Sequence, residues 1–153
     1  MSEYKVAIIM GSPNDRPKME PAAETLAGFG ITTEVAVMSA HRTPAKVAEF
    51  VGGARAAGFV AIIAGAGMAA HLAGAAAAHT TLPVVGVPLS GGALGGIDAL
   101  YATVQMPKGI PVATVAVDGA VNAALLVVEM LAIADADLES RLVADRKARA
   151  DVA

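Results

Sequence analysis

The sequence predicts an α/β domain in which helices cover a parallel sheet of about five strands. Short runs rich in Val and Ile alternate with longer Ala-rich segments along the chain, an order typical of βαβ units. The chain has 153 residues and no low-complexity linker, which is the size of one compact domain. Residues 1–153 are therefore predicted to form a single domain.

The predicted elements alternate from the first strand, residues 6–10, which ends at Gly11. The helix after it contains Pro21, which has no backbone N–H, so this helix is predicted either to begin near Lys18 or to have irregular first turns. Thr43 and Pro44 are typical of an N-cap and a first helical residue. Further strands are predicted at 33–38, 60–64, 84–87 and 112–117, and further helices at about 44–57, from beyond 67 to about 79, and at 97–103, 122–132 and 135–151.

The charge balance and the residue composition exclude several classes of partner. Eleven Lys and Arg against 14 Asp and Glu give a net charge of −3 without a basic stripe, so nucleic acid is not expected as a partner. The chain has no Cys, and the spacing of His41, His71 and His79 suggests no cluster, so no metal site is expected. The first residues lack the layout of a secretory signal, which favours a cytoplasmic protein.

Charged residues make up 16% of the chain, and none occurs between residues 56 and 97. A membrane span is the first alternative for such a stretch, but polar residues and prolines, His71 and Pro83 among them, interrupt it repeatedly. Burial by the chain's own core and by neighbouring subunits explains it better, because a lone domain with so few charges would expose a large apolar patch. The sequence therefore predicts a homo-oligomer and no membrane partner.

The loops after the first three predicted strands are the expected place for chemistry, because ligands bind beyond the carboxyl ends of parallel strands where the strand order reverses. In the first loop, Gly11 lets backbone N–H groups approach an anion, and the next helix adds its positive end. Ser12 and Asp15 are thus candidates for binding a phosphorylated ligand. The alternative is an ordinary turn in which one of these two side chains caps the helix.

The second loop, Ser39 to Pro44, brings an imidazole and a guanidinium together at the start of a helix. Arg42 suits a phosphate because its planar fork makes paired, charge-assisted hydrogen bonds. His41 suits proton transfer near neutral pH, although a surface or capping histidine remains the alternative.

The third loop contains a G-x-G-x-x-A pattern, formed by Gly65, Gly67 and Ala70. It follows a strand and precedes a helix, so a nicotinamide-dependent enzyme is a rival interpretation. That fingerprint also needs an acidic residue about 20 positions later, and the chain has none before Asp98, which is predicted to be structural and to cap the next helix. His71 is either a substrate contact or a buried, hydrogen-bonded histidine.

Taken together, motifs across nearly the whole chain resemble the bacterial class I N5-carboxyaminoimidazole ribonucleotide mutases in order and spacing. These motifs are Met10 to Ser12 with Asp15, Ser39 to Pro44, Ala64 to Gly67 with Ala69 to Leu72, Gly86 to Pro88, Gln105 to Pro107 and Gly109 to Pro111. The chain departs from the family's usual residues at Asn14, Pro21 and Ala73, and its 118–122 segment is shorter than in some relatives.

The resemblance implies a flavodoxin-like, three-layer α/β/α subunit that assembles as a homo-octamer, with active sites formed by several subunits. It implies the reversible conversion of N5-carboxyaminoimidazole ribonucleotide into 4-carboxyaminoimidazole ribonucleotide in purine biosynthesis, an isomerase reaction without metal, ATP or redox cofactor. His41 resembles the family's general acid and base. The residues implied in substrate binding are Ser12, Asp15, Arg42, Ser39, Gly67 and His71.

Three other functions stay open at this stage. A carboxylase that uses aminoimidazole ribonucleotide and carbon dioxide directly belongs to the related class II group, whose motif resembles Ser-Ala-His-Lys-Gly-Pro. This chain has Ser-Ala-His-Arg-Thr-Pro, the class I form. A nicotinamide-dependent enzyme and a noncatalytic nucleotide-binding module are the alternatives from other classes.

Overall fold

The computed structural model describes residues 3–152, which form one five-stranded parallel sheet with helices on both faces. The strands lie in the order β2-β1-β3-β4-β5. The strands are β1 (Lys5–Met10), β2 (Thr32–Val37), β3 (Phe59–Gly67), β4 (Val84–Leu89) and β5 (Ala113–Thr114), and the helices are α1 (Arg16–Gly28), α2 (Pro44–Gly53), α3 (Leu72–His79), α4 (Ile97–Val104), α5 (Ala120–Ala132) and α6 (Ala136–Ala150).

Side chains alternate across the central strand and so build a core on each face of the sheet. Val6, Ile8 and Met10 of β1 pack with α1, α5 and α6, whereas Ala7 and Ile9 pack with α2 and α3. All five side chains are fully buried. Each large apolar side chain buried in this way contributes roughly 1.5–3 kcal/mol to folding. This arrangement and the strand order confirm the predicted three-layer, flavodoxin-like fold.

The first helix has the irregular start that one of the two predicted alternatives required. Ser12 caps a short 3₁₀ turn, Pro13–Asp15, and α1 begins directly after it at Arg16. The helix continues through Pro21, where the carbonyl oxygen accepts a hydrogen bond of 2.7 Å from the hydroxyl of Thr25.

Several predicted boundaries were wrong. The helix predicted to reach residue 57 ends at Gly53, because two adjacent glycines weaken its last turn. The third strand continues through Gly67, which pairs with Leu89 of β4. The strand predicted at 112–117 is confined to Ala113–Thr114, because the next backbone N–H groups that reach β4 are those of Val115 and Asp118. These lie three residues apart, so the two-residue period of a strand is lost.

Within residues 3–152, no helix is long and apolar enough to cross a lipid bilayer.

Candidate active site

The carboxyl ends of β1, β2 and β3 surround a cleft of about 490 Å³. β2 lies on one side of β1 and β3 lies on the other. The strand order therefore reverses at β1, and the cleft lies at this point. Every substrate or catalytic residue proposed from the sequence lines this cleft. These residues are Ser12, Asp15, Ser39, His41, Arg42, Gly67 and His71.

In the loop after β1, Ser12 does what the capping alternative predicted. Its Oγ accepts a hydrogen bond of 3.2 Å from the N–H of Asn14, and its carbonyl oxygen accepts one of 3.1 Å from the N–H of Asp15. Asp15 makes no side-chain capping bond to α1. Both residues line the cleft, but only Ser12 also caps the turn.

Partial burial raises the pKa of the Asp15 carboxyl above its usual value of 3.8. The hydrogen bond within the Ser12 turn and the positive charges of Lys18 and Arg42 act in the opposite direction and offset part of this rise. The folded protein therefore binds a proton at Asp15 more readily than the unfolded chain does.

The loop after β2 is organised by the hydroxyl groups at its two ends. The Oγ of Ser39 accepts hydrogen bonds from the backbone N–H groups of His41 at 3.3 Å and Arg42 at 3.1 Å. Thr43 accepts a bond of 2.9 Å from the N–H of Ser39 and donates one of 3.2 Å to its carbonyl oxygen. Thr43 is the N-cap residue of α2 by position, but its side chain closes the loop instead of capping the helix.

Arg42 connects this loop to the one after β1. Its Nη2 donates a hydrogen bond of 2.7 Å to the carbonyl oxygen of Gly11. The guanidinium is exposed and has further N–H groups directed away from this bond, so it can hold the neighbouring loop and still bind an anion.

The imidazoles of His41 and His71 contact each other within the cleft. The Nε2 of His41 lies 2.6 Å from the Nδ1 of His71, and the ring planes meet at 71°. His71 is exposed, so the alternative of a buried histidine was wrong. It ends the turn between β3 and α3, where the chain returns to the cleft. A hydrogen bond between the two nitrogens fixes the relative orientation of the rings.

The glycines of the G-x-G-x-x-A pattern are explained by packing inside the protein. A Cβ at Gly65 would lie 2.3 Å from the Sδ of Met19, and one at Gly67 would lie 3.3 Å from the carbonyl oxygen of Leu89. The helix α3 does not begin in this pattern but after a turn, at Leu72. These features argue against a dinucleotide site.

Sequence reasoning missed three residues beside the cleft. The ammonium of Lys18 on α1 contacts Ser90 after β4, and both contact Asp118 after β5. No local pattern indicated them, because they lie far apart in the sequence. Asp98, predicted to cap the next helix, lies in the first turn of α4 and accepts a bond of 3.0 Å from the N–H of Ala99; the N-cap position belongs to Gly96.

Among the residues that the structure describes, no three His, Asp or Glu side chains come together in a way that could hold a metal ion.

The raised pKa of Asp15 leads to a testable expectation for stability. Between pH 3.8 and the higher pKa of the folded state, the folded protein holds the proton that the unfolded chain releases, so the native state loses stability as pH rises. Asp15→Asn removes this loss. Its melting temperature should exceed that of the parent protein at neutral pH, and the difference should shrink as pH falls toward 3.8 and disappear below it. Circular dichroism melts across this range test it, and a pH-independent difference would contradict it.

Comparisons with known proteins agree with this arrangement. The family model for AIR carboxylase matches residues 5–151. The N5-carboxyaminoimidazole ribonucleotide mutase of Mycobacterium tuberculosis is 53% identical over 97% of this chain and 85% of its own length. That of Brucella melitensis is 54% identical over 95% of this chain and 91% of its own length. The crystal structure of Treponema denticola PurE, 27% identical, matches with a TM-score of 0.89 over 97% of this chain and 93% of that one. The chain therefore belongs to the AIR carboxylase family.

Proposed function

We propose that this protein is an isomerase of purine biosynthesis that converts N5-carboxyaminoimidazole ribonucleotide into 4-carboxyaminoimidazole ribonucleotide. The observation that carries the proposal is the placement of His41 in one cleft with Arg42, Ser12 and Asp15. Relatives that are 53% and 54% identical over nearly the whole chain are named for this activity. The cleft offers one proton-transfer group and a set of groups that can hold a phosphorylated nucleotide.

Substrate binding is assigned to the loops after β1 and β2. Arg42 is the cation for the phosphate, and Ser12 with the backbone of its turn adds uncharged donors. Asp15 accepts hydrogen bonds from ribose hydroxyls as a carboxylate. Ser39 acts indirectly, because its Oγ holds the backbone N–H groups of His41 and Arg42. Binding through the phosphate and the ribose keeps the ring within reach of the imidazole.

In the reaction, His41 donates a proton to the carbamate nitrogen. The bond between that nitrogen and the carboxyl carbon breaks, its electron pair stays on nitrogen, and carbon dioxide is released into the cleft. The ring carbon then attacks carbon dioxide, and His41 takes the proton that this carbon loses. The proton given in the first step is thus recovered in the second, so the conversion is balanced without metal, ATP or redox cofactor.

This scheme requires that carbon dioxide stays in the cleft until it is attacked. Ala66, Gly67, Met68 and Ala69 form a wall without charged groups on the side of β3. A small apolar wall of this kind keeps water away from the intermediate. We assign His71 a positioning role, because its Nδ1 lies 2.6 Å from the Nε2 of His41 and so orients that ring.

A product assay with two alternative substrate mixtures tests the proposal. We expect turnover of the carbamate ribonucleotide without added bicarbonate. Efficient use of only aminoimidazole ribonucleotide with bicarbonate would instead indicate the direct carboxylase. Ligand binding without turnover of either mixture would indicate a noncatalytic nucleotide-binding module, and a copurified nicotinamide detected by its absorbance would favour the redox enzyme.

We further propose that the subunits assemble as a homo-octamer in the cytoplasm. Four apolar side chains on and just before α4 are 46–63% exposed, a stripe that a second copy of the chain would cover. They are Leu94, Ile97, Tyr101 and Val104. Sedimentation equilibrium should give eight times the subunit mass of 15.2 kDa, and a monomer would contradict the proposal.

A further inference from the structure

Lys18, Ser90 and Asp118 meet at the edge of the cleft although they come from three separate segments. The Nζ of Lys18 donates hydrogen bonds to the carbonyl oxygen of Ser90 at 2.5 Å and to its Oγ at 2.7 Å. The same nitrogen lies 3.8 Å from the Oδ1 of Asp118. Asp118 accepts a bond of 2.8 Å from the N–H of Ser90 at its Oδ1 and a second bond from the hydroxyl of Ser90 at its Oδ2. Every polar group of Ser90 is therefore engaged.

The backbone holds Asp118 in place independently of its side chain. Its φ of 59° lies in the left-handed region, which is uncommon for a residue with a side chain. Its N–H donates a bond of 2.8 Å to the carbonyl oxygen of Pro88 in β4. The next residue, Gly119, has no room for a side chain, because a Cβ there would lie 2.8 Å from the carbonyl oxygen of Ala116. The carboxylate is thus presented from a rigid turn.

Ser90 begins a segment that lies largely at the surface. Residues 91–95 are exposed, and all four glycines of the segment adopt a positive φ: Gly91, Gly92, Gly95 and Gly96. The segment closes on itself at its base, where a Cβ at Gly96 would lie 3.1 Å from the Cα of Ser90. We name residues 90–96 the glycine loop. Glycine costs the most conformational entropy to order, so this loop depends on its anchors.

The glycine loop forms one side of the cleft. Ser90 and Gly91 line it directly. Gly92 lies against Met68, since a Cβ on Gly92 would be 3.2 Å from the Cγ of Met68, which also lines the cleft. Lys18 lies three residues after Asp15, in the first turn of α1. The same helix end therefore carries the ammonium that holds the glycine loop and the carboxylate assigned to the ribose.

We propose that Lys18 and Asp118 are positioning residues that hold the glycine loop as a wall of the substrate cleft. The proposal rests on the proposed function and adds two residues to it. Neither residue is among those that line the cleft. When the loop is released, the substrate loses contacts that are equally strong in the ground state and in the transition state. KM therefore rises while kcat is largely kept.

Two substitutions separate this role from a simple effect of charge on an anionic substrate. Lys18→Met removes a cation and Asp118→Asn removes an anion. If charge alone acted, the first would raise KM and the second would lower it. If the two residues hold the loop, both raise KM, by roughly tenfold, with kcat within about twofold, and the double variant is no worse than either single variant. Asn tolerates a positive φ, so the turn at residue 118 is retained.

The matched control is Lys5→Met, which removes a lysine paired with Glu34 at 2.8 Å at the opposite end of β1. Its KM should equal that of the parent protein. Lys18→Arg should recover most of the lost affinity. A lowered KM in Asp118→Asn, or an unchanged KM in both variants, would overturn the proposal.

Hydrogen exchange gives a readout that does not require activity. The amides of Ser90 and Ile97, which donate hydrogen bonds to Asp118 and to the carbonyl oxygen of Leu94, should exchange faster in Lys18→Met and Asp118→Asn than in the parent protein and Lys5→Met. If the parent protein itself lacks isomerase activity, the proposed function fails, and exchange still decides whether the two residues hold the loop. Unchanged exchange in both variants would overturn the positioning role.

Discussion

Replacing His41 with Asn should reduce turnover of the carbamate ribonucleotide by on the order of a thousandfold, the range that a lost general acid and base produces. Asn has a comparable size and hydrogen-bonding ability, but it cannot donate a proton to nitrogen and recover one from carbon. The side chain is exposed in the cleft, so the fold does not depend on it. Steady-state kinetics give kcat, and calorimetric titration with the ribonucleotide should give a Kd close to that of the parent protein.

His79→Asn is the matched control for this substitution. His79 is exposed at the last position of α3 and lies outside the cleft, so its replacement should leave kcat unchanged. Activity of His41→Asn within about tenfold of the parent protein would contradict proton transfer by His41, because general acid–base catalysis contributes at least 10²-fold in most enzymes.

The fold could be predicted from the sequence because its signals are local. Apolar runs of strand length and Ala-rich segments alternate regularly, and the resulting layers bury the side chains that the runs supply. The exact ends of elements depend on partners elsewhere in the chain. The last strand illustrates this, since its length is set by where β4 offers carbonyl groups to Val115 and Asp118.

The candidate site could be predicted for a related reason. Parallel strands bring the loops at their carboxyl ends to one edge of the sheet. The strand order alone therefore predicts that Ser12, His41 and His71 lie in one cleft. Whether His71 was buried could not be decided, because that depends on where the chain turns between β3 and α3. Lys18 and Asp118 were missed for a stronger reason: Ser90, which joins them, is separated from Lys18 by 72 positions and from Asp118 by 28.

Replacing Arg42 with Met should raise KM for the ribonucleotide by roughly 10- to 100-fold, because a hydrogen bond to a charged group contributes about 1.5–3 kcal/mol and 1.4 kcal/mol corresponds to a tenfold change. Met keeps the length of the apolar stem, so the loss reports on the guanidinium. Steady-state kinetics measure KM and kcat, and kcat should fall much less than in His41→Asn. The control is Arg55→Met, whose guanidinium bonds to Thr81 outside the cleft at 3.0 Å.

Arg42→Lys distinguishes the two tasks assigned to this side chain. Lysine supplies a charge for the phosphate but cannot make the planar, paired contacts of a guanidinium. Because Arg42 also donates to the carbonyl oxygen of Gly11 at 2.7 Å, an ammonium would have to hold both the loop and the anion from one nitrogen, without the separately placed N–H groups of a guanidinium. We therefore expect the KM of Arg42→Lys to lie between those of the parent protein and Arg42→Met. A parental KM in Arg42→Lys would mean that only the charge of this side chain matters. A parental KM in Arg42→Met would contradict phosphate binding by Arg42.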